Sequence, residues 1–140
     1  MTKYLLDTNI ISLYAKSDEI VVRKLNTVPA NQLAMSCITL MELEFGIERN
    51  PQMGKMVINR TRTLIREIRS IPYEALDALE TVSIRVYLET TRHQKQTKPI
   101  GKLDSMIAAT AMARGLICVT GNIDEFSRIP NLQLEDWTQP

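Results

Sequence analysis

Lys3-Tyr4-Leu5-Leu6-Asp7-Thr8-Asn9 begins with a short, largely apolar run and stops on three polar residues. A run this short reads as a strand buried on both faces, the form typical of a parallel sheet. The oxygens of Asp7, Thr8 and Asn9 suit the free N–H groups at a helix start. Ile10, Ile11, Leu13 and Tyr14 then follow at helical spacing. The stretch therefore predicts a buried strand that passes directly into a helix.

The same pairing recurs along the chain. Ser17 to Val28 reads as a helix with Ile20, Val21, Leu25 and Val28 inward. Leu33 to Ile38 reads as a strand running into a helix over Thr39 to Gly46, and a longer helix is expected over Met56 to Arg69. Ser70-Ile71-Pro72-Tyr73 resembles a short strand. The next helix, Glu74 to about Arg92, has Leu76, Leu79, Val82, Ile84, Val86 and Leu88 as its expected apolar face. Leu103 to Arg114 is an Ala- and Met-rich helix stopped at Gly115, Leu116 to Thr120 a strand, and Gln133-Leu134-Glu135 a last short one. Strands alternating with helices imply right-handed crossovers and an α/β fold: a three-layer α/β/α sandwich on a central, mainly parallel sheet. With 140 residues and no repeat or long linker, the chain reads as a single domain, 1–140.

Composition narrows the function. Lys+Arg is 17 against Asp+Glu 16, so a net charge of +1 does not attract polyanions by itself. Nucleic-acid binding would then rest on local segregation of charge. Cys37 and Cys118 are far apart, without CxxC spacing, and His93 is the only histidine, which argues against zinc. Both thiols read as small buried hydrophobes in a reducing compartment. No apolar run approaches the roughly 18 residues of a membrane span. The N-terminus lacks a signal peptide's apolar segment, so the expected location is cytoplasmic.

In parallel sheets, ligands sit beyond the carboxyl ends of the strands. Asp7 stands at the first such end and Glu42 one helical turn beyond the second. Asp104 opens the Ala-rich helix, and Asn122 and Asp124 follow the strand that ends at Thr120. Crowded carboxylates repel one another unless a cation neutralises them, and hard oxygen ligands suit Mg²⁺ or Mn²⁺. Taken singly, each residue is better explained by capping than by catalysis. Asp7 fits an N-cap, Thr39 with Glu42 and Asn122 with Glu125 fit capping boxes, and Asp104 suits a helix dipole. Charge distribution adds a second cue. Between Thr90 and Leu103 there is no acid, whereas Arg92, Lys95, Lys98 and Lys102 lead into Asp104, a basic approach that suits the backbone of a phosphodiester. Arg60, Arg62, Arg66 and Arg69 form another basic group, which reads as a solvated helix face.

Four blocks in order resemble the PIN-domain family in its VapC toxin branch. They are Tyr4-Leu5-Leu6-Asp7-Thr8-Asn9-Ile10-Ile11, Ser36 through Gly46, Pro99 through Ala109, and Val119-Thr120-Gly121-Asn122 continuing to Pro130 with Leu132 and Trp137. The resemblance implies Mg²⁺- or Mn²⁺-dependent endonucleolytic cleavage of RNA, with tRNA or ribosomal RNA the usual target. It also implies a homodimer held inactive by a cognate VapB antitoxin that binds operator DNA. Asp7, Glu42 and Asp104 fall on the family's acidic positions as catalytic and metal-holding residues. Asn122 stands where many PIN domains carry a fourth acid, and Asp124 is the alternative donor. Ile10, Ile11, Leu13 and Tyr14 fit either an antitoxin groove or the core.

Two rival readings have recognisable signatures. A phosphoacceptor receiver domain needs an acidic pair after the first strand and a late lysine, but Asp7 is followed by Thr8 and Asn9. A DxD phosphatase needs an acid where Asn9 stands. A PIN-like module that binds without cutting remains, and so does an RNA-processing nuclease outside a toxin–antitoxin pair.

Overall fold

The structure, a computed structural model, describes residues 1–91 and 99–140. Its elements are β1 (Tyr4–Leu6), α1 (Thr8–Ala15), α2 (Glu19–Asn26), a 3₁₀ turn (Ala30–Gln32), β2 (Leu33–Ser36) and α3 (Cys37–Arg49). They continue with α4 (Lys55–Glu67), β3 (Arg69–Ile71), α5 (Ala75–Thr90), α6 (Lys102–Ala113), β4 (Ile117–Val119), α7 (Ile123–Phe126) and β5 (Leu134–Glu135). The strands form one sheet in the order β3-β2-β1-β4-β5, and every pair is parallel. The expected sandwich is therefore present.

Alternation along the strands builds the two outer layers. Leu5, paired with Ala34 and Cys118, packs on one face with Ile84 of α5 and Ile107, Ala108 and Ala111 of α6. Leu6 faces the other way, joining Leu33, Met35 and Val119 against Ile10, Ile11, Val21, Leu25 and Leu64. From β1 the chain winds outward through β2 and β3, then returns to lay β4 on the other side of β1. The gap between the carboxyl ends of β1 and β4 is thus the switch point of the sheet, where such folds place ligands.

Several sequence expectations change in detail. The β2 strand stops at Ser36, whose hydroxyl caps α3 by accepting the Ile38 N–H at 3.0 Å. Thr39 and Glu42 therefore sit inside the helix and form no capping box. Ser17 turns with φ 65°, and Asp18 caps the helix that follows through Val21 N–H at 3.1 Å, so α2 begins at Glu19. The expected apolar face of α5 is mostly solvent-facing. Leu76, Leu79, Val82 and Val86 are 55–67% exposed, while Ile84 is buried and Leu88 packs at the core edge. Periodicity finds an apolar stripe but not the side on which the sheet lies.

The inner face of α5 instead carries Asp77, fully buried. Arg114, just past α6, makes an ion pair with it and also donates to the Pro72 carbonyl at 3.3 Å. Asp77 also accepts the Glu74 N–H at 2.7 Å, closing a capping box at the start of α5.

Candidate active site

Asp7 lies at the carboxyl end of β1, with only 4% of its surface exposed. Its N–H donates to the Val119 carbonyl of β4 at 3.0 Å, so its backbone is fixed by both central strands. Its Oδ1 accepts the Ile10 N–H at 2.9 Å, capping α1. The capping expectation is correct, and a cation role is compatible with it because a carboxylate has several acceptor sites. Burial, together with the charges of Asp104 and Glu42, pushes the Asp7 carboxyl up to about 6, against lowering hydrogen bonds from Thr120 and Ile10.

Asp104 sits in the first turn of α6 and is half-buried. Its carboxyl is raised by burial and then by the negative charges of Glu42 and Glu125. Glu42, half-buried on α3, accepts a hydrogen bond from the Thr8 hydroxyl at 2.6 Å. Three acids from distant segments thus lie within electrostatic reach of one another at the switch point. Among the described residues, no three His, Cys, Asp or Glu side chains converge on one point as a ready-made ion cage. The donor set nonetheless fits a hard divalent cation, because it offers carboxylate oxygens only, one of them buried and burdened by two like charges.

The fourth position takes a form the sequence reading missed. Asn122 donates its backbone N–H to Thr120 Oγ1 at 2.9 Å and its side-chain amide to Glu125 Oε2 at 2.8 Å. It precedes α7 without a side-chain cap bond, so the reciprocal capping box does not form. Glu125 is the α7 acid that acts on Asp104. Asp124 is exposed, and its backbone carbonyl accepts from Arg128 at 3.3 Å. Thr8 and Thr120 were also missed, although Thr8 directly follows Asp7 and Thr120 stands two residues before Asn122. Lys102 is exposed at the start of α6, whereas Arg92, His93, Lys95 and Lys98 lie outside the described residues.

A cleft adjoins the acids between α1, α3 and α4. Thr8, Ser12, Lys16 and Glu42 form its polar side, and Leu43 and Ile47 part of its apolar side. Ile10 and Ile11 are fully buried in the core, with Leu13 and Tyr14 packed against it, so the core explains all four. The second basic group is dispersed: Arg60 donates to the Ala15 carbonyl at 3.0 Å and Arg62 pairs with Glu44 at 3.5 Å.

The PIN-domain family model matches residues 4–132, which sets the class of this fold. The tRNA(fMet)-specific endonuclease VapC of Shigella flexneri is 36% identical over 138 residues, spanning 99% of this chain and 100% of the relative. A DNA-bound VapBC structure from Salmonella typhimurium matches with TM-score 0.82 and 33% identity, covering 98% of this chain and 99% of that one. VapBC2 from Rickettsia felis, bound to a promoter DNA fragment, matches with TM-score 0.84 and 30% identity, covering 97% and 99% respectively. The chain belongs to the VapC ribonucleases of the PIN-domain family. PIN-domain nucleases generally depend on a divalent metal.

Proposed function

We propose that this protein is the toxin of a VapBC-type pair, an endoribonuclease that cleaves tRNA or ribosomal RNA and so blocks translation. The observation that carries the reading is the placement of a buried Asp7 at the switch point of the sheet, with Asp104 and Glu42 near enough to act on it. Its relative's specificity makes tRNA(fMet) the first substrate to test.

Asp7, Asp104 and Glu42 would hold Mg²⁺ or Mn²⁺, with Asn122 or Asp124 as candidate further donors. A bound ion would supply Lewis acidity, neutralising charge on a scissile phosphate and acidifying an attacking water. The protein contributes placement. Capping and the β1–β4 hydrogen bond fix Asp7, and the first turn of α6 fixes Asp104. Lys102 provides a cation beside Asp104 for the RNA backbone, and the same role is proposed for Arg92, Lys95 and Lys98.

The partners of this reading are the RNA, a VapB-like antitoxin and a second copy of the chain. Support for the antitoxin comes from the VapBC complexes among the structural matches. The homodimer draws support from the exposed apolar stripe of α5, since such patches mark contact surfaces. Among the described residues no helix is long and apolar enough to cross a membrane, and the proposed site of action is the cytoplasm.

Purified protein should cut tRNA(fMet) with Mn²⁺ and lose that activity with EDTA. Expression should arrest growth, relieved by Asp7→Ala or by a small protein encoded next door. Cutting that survives Asp7→Ala or Asp104→Ala would overturn the site, and binding without cutting would favour a non-catalytic module. Cutting without growth arrest or a neighbouring antitoxin would favour an RNA-processing nuclease.

A further inference from the structure

Thr8 is the first residue of α1, and its hydroxyl faces α3 across the start of the cleft. That hydroxyl donates to Glu42 Oε1 at 2.6 Å, within the short range of hydrogen bonds to an ionised acceptor. It also lies 3.1 Å from Thr39 Oγ1, a side chain with no exposure. Thr39 and Glu42 are three apart on α3 and so share one face. The Thr8 hydroxyl is therefore held between a buried hydroxyl and the acid.

We propose that Thr8 is a positioning residue that fixes the rotamer of Glu42 and turns it toward Asp7 and Asp104. This rests on the reading of Glu42 as part of the cation-holding set. Glutamate has three side-chain torsions, and without a tether its carboxylate would sample many directions at an entropic penalty to any ordered site. A donor on Oε1 leaves Oε2 to face a cation. The chemistry needs a donor of this length at this place, which serine keeps and valine loses without a change of shape. The link also explains why Thr8, rather than any other helix-starting residue, follows Asp7: one dipeptide supplies an acid of β1 and the tether for the acid of α3.

Mn²⁺ binding to the full chain, followed by calorimetry or the Mn²⁺ spin-resonance signal, gives a readout independent of cleavage. Thr8→Val is expected to weaken Mn²⁺ binding by roughly 10–100-fold, the usual range for partners that orient metal ligands. It should lower kcat on tRNA(fMet) over the same range with KM little changed, and leave the urea midpoint near wild type. Thr8→Ala should behave as Thr8→Val does, and Thr8→Ser should restore both quantities. In a Glu42→Gln background, Thr8→Val should add no further loss. Unchanged Mn²⁺ affinity in Thr8→Val and Thr8→Ala, with Glu42→Gln impaired, would overturn the positioning role alone. Failure of Thr8→Ser to rescue would overturn it too. Unchanged affinity in Glu42→Gln would overturn the role of Glu42 and the tether with it.

Discussion

Arg114, just past the end of α6, pairs with an Asp77 carboxylate that has no exposed surface, locking α5 to the helix that presents Asp104. The arginine is one-quarter exposed, so its own desolvation is partial, whereas the aspartate has no access to water. Removing one partner of such a pair leaves a buried charge, which typically costs 3–5 kcal/mol. Arg114→Ala should therefore lower unfolding stability by about 3 kcal/mol, read as a shift in urea midpoint without a change in slope. Glu74, 3.8 Å from the same guanidinium and mostly exposed, should contribute little.

Asp7 predicts an unusual pH dependence of stability. Its carboxyl is near 3.8 when unfolded and about 6 in the fold, so between these values the native state binds more protons. Stability is then highest below the unfolded value, falls as pH rises, and is fully reduced above about 6. The difference corresponds to about 3 kcal/mol at neutral pH. Asp7→Asn keeps the cap to Ile10 and should stabilise the protein by that order at pH 7.5 and by almost nothing near pH 3.5. Saturating Mn²⁺ should narrow the gap, because a charged carboxylate gains more from the ion than a neutral amide does.

Asp104→Asn should reduce tRNA(fMet) cleavage by at least about 100-fold, since even partners outside the metal shell are worth 10–100-fold. Circular dichroism should be unchanged, because the residue is only half-buried. Cleavage surviving at near wild-type rate would remove Asp104 from the proposed set.

Lys102 is exposed and sits two residues from Asp104, and it is proposed to hold the RNA backbone. Lys102→Ala should raise KM without lowering kcat. For one lost contact to single-stranded RNA, the slope of log affinity against log salt should fall by about 0.7.

The outer stripe of α5 gives a test of assembly. Leu79→Glu combined with Val86→Glu should convert the proposed dimer into a monomer in sedimentation, with the unfolding midpoint of the isolated chain little affected. Both side chains are already more than half exposed, so their replacement disturbs little of the core. A wild-type chain that sediments as a monomer would reject the dimer.

Much of this architecture was legible in sequence. Apolar runs as short as Tyr4–Leu6 and Ile117–Val119, each followed by polar residues, identify buried parallel strands and place Asp7 at a carboxyl end. Asp104 follows from the same rule with the help of a helix start. What escaped depends on direction instead of pattern. The stripe of α5 obeys helical period on whichever side it faces, and Asp77 looks like any helix-surface acid until Arg114 is seen beside it. Thr39 and Glu42 have capping-box spacing, but Ser36 takes the cap first. Glu125 acts from a four-residue helix too short for periodicity to orient. The tether from Thr8 to Glu42 spans 34 positions and is visible only in three dimensions.

On the proposed toxin reading, the strand order also sets when the protein can become dangerous to the cell that makes it. Asp7 leaves the ribosome early, but its floor is unfinished until β4 docks against β1, and the α6 acid arrives just before that strand. At bacterial rates of roughly 5–20 residues per second, several seconds separate the first acid from the last. A nascent chain therefore carries the parts of the proposed nuclease without being one, and the proposed antitoxin, if made first, has that interval in which to meet it.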